Sequence, residues 1–360
     1  MHEITPPLKS SSNQYETYVQ SWSQDTMAAL AKMNINSSTT IDVSFANFDV
    51  FQNGKPTLNG LEMSPSDLQS LINYVHSRGG HVKLSFGGAT YPLSQYMNGQ
   101  SSGLTPGAIA GGIAAIVKQY GLDGVDLDIE DPQGAGQPYP GFGQDVLQML
   151  KDLNYNLGPN ANISLTLEGQ SWSPTSWVAD LFNPSSSSGL EPAYQYVQHF
   201  NFMEYNIWID PNGQGAGKPN SYVQQVEWDL NYYFQHFHIP ANQIMLGLMP
   251  GKDQMGNDLT LSDAQQLASF AMQTGLAGVM TWSLNLDYES QDGNGSEAYT
   301  NAIQNVLSAS SSFAASSLDI SQIEPKKIKA HHHHHTHTLP PLTLDPTKML
   351  KKKPKGMMDI

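Results

Sequence analysis

Eight stretches of strand character recur along the chain, at residues 15–22, 40–48, 81–88, 121–130, 161–168, 197–206, 243–249 and 277–283. Helical patterns separate most of them. One opens at Ser64 with Pro65 in its first turn and repeats Leu68, Leu71, Ile72 and Val75 at helical spacing; others cover 108–120, 142–153, 222–236, 261–273 and 296–307. Strict alternation of strand and helix demands a parallel sheet, because each crossover returns the chain to the same end. Eight such units in about 300 residues close into a (β/α)8 TIM barrel. An open doubly wound sheet would want a glycine-rich phosphate loop after an early strand, and no such loop is present. The expected division is a catalytic barrel over residues 1–310 and a low-complexity, His- and Lys-rich tail over 311–360, read as disordered.

The fourth strand carries the chemistry. In Gly121-Leu-Asp-Gly-Val-Asp-Leu-Asp-Ile-Glu130 the side chains alternate, so Val125, Leu127 and Ile129 share one face and Asp126, Asp128 and Glu130 the other. A row of carboxylates on a strand flanked by buried neighbours is costly unless the acids are partnered or hold protons. A parallel barrel presents its chemistry at the C-terminal ends of its strands. Those ends collect Ser85, Gly87 and Gly88 from the third strand, the acidic row from the fourth, and Glu168 and Gln170 from the fifth. Met203, Tyr205 and Asn206 come from the sixth and Trp282 from the eighth. Glu130 lies nearest the mouth and suits a proton donor. Asp128 and Asp126 lie deeper, and a proton shared between those two, with Ser85 as a neutral partner, would lower the cost of burying them. Asp123 has the opposite parity and is assigned to structure.

Charge narrows the substrate. The chain carries 17 basic and 32 acidic residues, a formal net charge of −15. The segment from Ile323 onward has eight lysines against three acids, which leaves −20 on residues 1–322. Such a body repels nucleic acid and anionic membranes, so a neutral polymer or small molecule is expected, with no nucleic-acid or membrane partner and a monomeric state. The chain has no cysteine, which rules out disulfides and thiolate metal sites. The opening Met1-His-Glu-Ile-Thr-Pro-Pro shows neither a basic nor an apolar signal region.

Four motifs, in order, resemble glycoside hydrolase family 18, the chitinases and their relatives. Asp123-Gly-Val-Asp126-Leu-Asp128-Ile-Glu130 is similar to that family's Asp-Gly-x-Asp-x-Asp-x-Glu signature, Ser85-Phe-Gly87-Gly88 to its Ser-x-Gly-Gly, Met203-Glu-Tyr205-Asn206 to its Met-x-Tyr-Asp, and Trp282 to the tryptophan of its last strand. The resemblance spans roughly residues 15–307. It implies hydrolysis of β-1,4-linked N-acetylglucosamine polymers with retention, by substrate-assisted catalysis without metal or cofactor. Glu130 would be the acid and then the base. Asp128 would steady the substrate's acetamido group, which serves as nucleophile, and Tyr205 would hold its oxygen. Asp126 and Ser85 would support Asp128, and Trp282 would floor the sugar site. Met203, Asn206, Glu168 and Trp208 complete the expected substrate contacts, Glu168 having a structural ion pair as its alternative role. Asn206 departs from the family's aspartate, which predicts a shifted pH optimum. A polymer substrate of this kind places the protein outside the cell.

Two other readings fit the same strand: an endo-β-N-acetylglucosaminidase acting on N-glycans, and a non-catalytic chitin-binding lectin or inhibitor. The last usually lacks the terminal glutamate, which is intact here as Glu130. From Gly251 to Ala277 there is room for one loop and one helix, so the inserted domain that deepens the cleft of processive family members is expected to be absent, leaving an open groove and endo cleavage. Trp172, Trp177 and Trp208 are candidate sugar platforms, whereas Trp228 and His199 read as core residues.

Overall fold

The computed structural model describes residues 13–99, 103–133, 138–171, 173, 175–209, 221–290 and 292–310. The tail at 311–360 and Trp172 lie outside the described residues. Eight parallel strands form a closed barrel in chain order: β1 (Gln14–Gln20), β2 (Thr39–Ala46), β3 (His81–Gly87), β4 (Gly124–Asp128), β5 (Asn162–Glu168), β6 (His199–Met203), β7 (Ile244–Leu248) and β8 (Gly278–Thr281). Strand β8 closes the ring against β1 through pairs from Gln14↔Gly278 to Thr17↔Thr281.

Alternation along the strands divides the side chains into two sets. One set faces the surrounding helices and forms a continuous apolar belt that includes Val43, Leu84, Phe86, Val125, Leu127, Leu165, Leu167, Phe200, Phe202, Leu246 and Val279. Each such side chain, fully buried, contributes about 1.5–3 kcal/mol. The opposite set fills the barrel and is largely polar, including Glu16, Asp42, Lys83, Ser85, Asp126, Ser164, Thr166, His199 and Asn201, all buried. A small separate apolar cluster of Tyr18, Met203, Tyr205, Met245, Ala277 and Met280, with Phe45, Met249 and Trp282 packed against it, completes the interior.

The helices between the strands are α1 (Thr26–Lys32), α2 (Pro65–Ser77), α3 (Pro106–Tyr120), α4 (Phe142–Leu157), α5 (Trp177–Phe182), α6 (Tyr222–Tyr232) and α7 (Leu261–Gln273), followed by α8 (Leu284–Glu289) and α9 (Ala298–Ser310). Ser64 caps α2 by accepting the Asp67 N–H at 3.1 Å, as its sequence predicts. For α7 the cap is Thr260, one position before the expected start, in a reciprocal capping box with Asp263. The expected single helix over 222–236 is α6 followed by a π-helical turn at Tyr233–Phe237. Between β7 and β8 stand only a two-stranded hairpin, Gly251–Lys252 with Asp258–Leu259, and α7. No inserted domain deepens this side of the barrel.

Candidate active site

Strand register builds the site from its base. Asp126 pairs in register with Ser85 of β3 on one side and Ser164 of β5 on the other. Its Oδ2 accepts the Ser85 hydroxyl at 2.7 Å and the Tyr18 hydroxyl at 2.6 Å. Its Oδ1 accepts Ser164 at 2.6 Å and Thr166 at 2.8 Å. Four hydroxyl donors around one fully buried carboxyl replace the water it has lost, and hydrogen bonds to a carboxylate are among the stronger ones in proteins. Ser85 is wholly buried and committed to Asp126. It therefore acts on the acidic row through Asp126 and does not face the groove.

Asp128 lies one step higher and is also buried. Burial, then repulsion from Glu130 and Asp126, pushes its carboxyl well above the usual range, and it is hydrogen-bonded to Glu130. Burial raises Glu130 as well, while the hydrogen bond from Asp128 pulls it down and the nearby Asp131 pushes it up. Two carboxyls this close repel as anions, which favours one of the pair holding a proton. The sequence had paired Asp128 with Asp126, but Asp126 is already saturated by hydroxyls. Glu130 follows the end of β4 and is only partly buried. The next residue anchors it: Asp131 accepts the Leu93 and Ser94 N–H groups, both at 3.0 Å, and its carbonyl accepts the Trp177 indole N–H at 3.2 Å.

Glu168, at the end of β5, is raised to about 7 by burial and by Glu130. It receives a weak contact from the Gln133 amide at 3.5 Å and makes no ion pair among the described residues, so the structural alternative is not realised. Burial and the neighbouring Asp128 and Glu130 hold the Tyr205 phenol well above its ordinary value, keeping it a hydrogen-bond donor. Met203 and Tyr205 are buried together in the inner apolar cluster.

Aromatic rings form one wall. Trp282 stacks on Phe45 with centroids 5.3 Å apart and planes 11° apart, and leans on Tyr18 at 5.4 Å. Trp22 extends the group, 6.3 Å from Phe45. The two glycines of the Ser-x-Gly-Gly motif make room for this arrangement. A Cβ on Gly87 would stand 2.1 Å from the Asp128 carbonyl oxygen, and one on Gly88 would meet the Phe45 ring at 2.7 Å; both residues have positive φ. The Gly88 N–H meanwhile binds the Asp128 carbonyl at 2.9 Å.

Of the remaining candidates, Trp208 is 43% exposed, and the Gln170 side chain clasps its backbone through N–H at 2.9 Å and C=O at 2.8 Å. Asn206 uses its side-chain oxygen to accept the Gln254 N–H at 2.8 Å, and its own N–H binds Asp253 at 2.7 Å. Its carbonyl group thus ties β6 to the hairpin after β7. Trp177 is buried in the apolar belt and is no platform. Trp228, read as core, is 39% exposed and stacks on Tyr232. His199 is buried against Glu16 at 2.9 Å, and Asp123 serves structure through His76 and the Val82 N–H.

Tyr18, Phe45, Trp22, Ser164, Thr166 and Asp131 were not singled out from sequence. Strand parity could have pointed Tyr18, Ser164 and Thr166 inward. Nothing in the sequence placed Phe45 against Trp282 or assigned Asp131 to the turn that carries Glu130. Among the described residues no group of three or more His, Asp or Glu is arranged to hold a metal ion. What the site offers is an acid near the mouth, a proton-sharing carboxyl beneath it, a phenol donor and an aromatic wall.

The family model for glycosyl hydrolases family 18 matches residues 14–257. A protein named chitinase from Enterococcus faecalis is 24% identical over 296 residues, covering 78% of this chain and 80% of its own. Among solved structures, a chitinase from Rhizomucor miehei superposes with a TM-score of 0.56 at 21% identity, covering 81% of this chain and 99% of its own. A catalytic-site mutant of the second active domain of a thermostable chitinase from Pyrococcus furiosus, complexed with chito-oligosaccharides, gives 0.60 at 16% identity, covering 88% and 99%.

Proposed function

Because the chain belongs to glycosyl hydrolase family 18, we propose that it hydrolyses β-1,4-linked N-acetylglucosamine chains, with retention, using the substrate's own acetamido group as nucleophile. The observation that carries this reading is the stacked acidic row, a hydroxyl-saturated Asp126 beneath Asp128 and Glu130, in which repulsion between the upper two carboxyls favours a shared proton. A substrate acetamido N–H that donates to Asp128 favours its ionised form. The shared proton then passes to Glu130, and substrate binding arms the acid.

From that state the steps follow. Glu130 gives its proton to the glycosidic oxygen as the C1–O bond breaks, and the acetamido carbonyl oxygen bonds to C1. Ionised Asp128 offsets the positive charge of the resulting oxazolinium ring. Tyr205 donates to the acetamido oxygen and orients it. Glu130, now a carboxylate, takes a proton from water, which attacks C1 from the face the leaving group vacated; the C1–O bond of the oxazolinium ring breaks, the acetamido carbonyl is regenerated and the β configuration is restored. Trp282 supplies the apolar floor for a pyranose face, with Met203 in the same wall. Trp208, held out by Gln170, is a platform farther along the groove, and Glu168 faces the groove beside Glu130. The absence of an inserted domain between β7 and β8 favours an open groove and cleavage within chains.

The test is release of a chromophore from labelled N-acetylglucosamine oligomers, with an N-glycosylated protein as the control substrate. Turnover of the oligomers alone supports the proposal. Deglycosylation alone moves the assignment to the N-glycan core, and binding of either without turnover makes the protein a lectin.

A further inference from the structure

Beneath Asp126 the barrel holds a second set of charged groups that the proposed reaction does not use. Lys83 of β3 is fully buried. Its Nζ pairs with Glu16 of β1, lies 3.6 Å from Asp42 of β2, and donates to the Ser164 hydroxyl of β5 at 2.6 Å. His199 of β6 closes the group on the other side of Glu16. Ser164 is the contact between this cluster and the acidic row, because its hydroxyl in turn donates to Asp126 at 2.6 Å.

An ammonium group has donors and no acceptor. Ser164 must accept from Lys83, which directs its own hydrogen to Asp126. The same logic holds at Thr166, which accepts the Asn201 amide at 3.1 Å and donates to Asp126 at 2.8 Å. We propose that Lys83 is a positioning residue for the active site: through Ser164 it fixes Asp126 as the acceptor at the base of the row, so that the row's mobile proton stays between Asp128 and Glu130. The inference rests on the roles given above to those two residues. Burial works against the lysine's charge, but attraction from Asp42, Glu16 and Asp126 outweighs it and raises its proton affinity. Asp42 is raised, by burial and by Glu16. For Glu16, burial is outweighed by Lys83 and His199, which keep it ionised. Burial lowers the proton affinity of His199, against the pull of Glu16. Above Asp126 the titratable groups are Tyr18, Asp128, Glu130, Glu168 and Tyr205, and none of them is a cation. Among the described residues, Lys83 is thus the cation that Asp126 meets, at one hydroxyl's remove.

The experiment compares Ser164→Ala, Lys83→Met and the double variant. In Ser164→Ala the acid limb of the kcat/KM profile should move up by about one pH unit, a tenfold change in proton affinity. At the pH optimum kcat should fall about tenfold with KM changed less than about twofold. The double variant should lose no more than the worse single one, since both changes interrupt one chain of hydrogen bonds. An unmoved acid limb in Ser164→Ala, or losses that multiply in the double variant, would overturn the proposal. Ser164→Ala carries the test alone if Lys83→Met does not fold. If the wild-type protein turns over no oligomer, the functional reading has failed, and the relay is decided by 13C titration of labelled aspartate carboxyls. An upward shift of the row's titration in Ser164→Ala supports it, and identical curves refute it.

Discussion

Single residues in this site differ in role because their surroundings differ. Asp126 and Asp128 stand two positions apart on one strand face, yet one is saturated by hydroxyls and the other is held well above the usual carboxyl range by burial and by Glu130. Glu130→Gln keeps the shape and removes the acid, so turnover should fall to background while oligomer binding, read by intrinsic tryptophan fluorescence, persists. Unchanged turnover would remove Glu130 from its assigned role. Asp128→Asn removes the charge that offsets the oxazolinium, and its kcat should drop by roughly 10²–10³. The same substitution should raise the melting temperature at neutral pH, because a buried carboxyl with a raised proton affinity costs stability once its unfolded counterpart has ionised. A variant that is both slower and less stable would contradict this account of Asp128.

At the level of elements, period-two alternation gave the eight strands and the outward or inward sense of their side chains, since one buried face and one polar interior leave that pattern in any sequence. The acidic row and the Ser-x-Gly-Gly turn were legible for the same reason. Contacts that depend on barrel closure were not. Tyr18 meets Asp126 across 108 positions of chain, and Phe45 reaches Trp282 because β8 closes against β1 and β1 against β2. Sequence could not separate Trp177 from Trp208, since an indole serves either a core or a platform; burial decides. Nor could helical periodicity show that α6 passes into a π-turn at Tyr233, because the two ladders differ by one residue per turn. Gly87→Ala tests the close approach of β3 to β4. Its Cβ would meet backbone of β4 that cannot yield without shifting Asp128. A loss of roughly 2–4 kcal/mol is expected, with activity falling out of proportion to the folded fraction. Urea denaturation beside an activity assay checks both, and a fully active, equally stable variant would show that the close approach of β3 to β4 is not needed.

Across the molecule, the carboxyls that are shifted among the described residues are mostly raised, so they hold their protons more tightly in the folded state than in the unfolded one. Glu168, Asp229 and Glu297 are each raised to about 7, mainly by burial, and Asp42, Asp128, Glu130 and Glu204 are raised as well. Glu16 and Asp123 run the other way, lowered by Lys83 and His199 and by the His81 contact against their own burial. Since raised groups outnumber lowered ones, the folded chain carries more protons than the unfolded chain between the ordinary carboxyl range of about 4 and roughly 7. Stability should therefore decline as pH rises through that window. Calorimetric melting temperatures at pH 5 and pH 8 test it, and a higher value at pH 8 would mean that the buried ion pairs outweigh the buried acids.

Substrate assistance is decided by what attacks the anomeric carbon after Glu130 gives up its proton, and stereochemistry reports on that step. Early-time proton NMR of an N-acetylglucosamine hexamer during hydrolysis by the wild-type protein records the anomer formed before mutarotation. An initial excess of the β anomer is predicted, because an acetamido carbonyl that closes on C1 leaves water only the opposite approach; an initial excess of the α anomer would contradict the account.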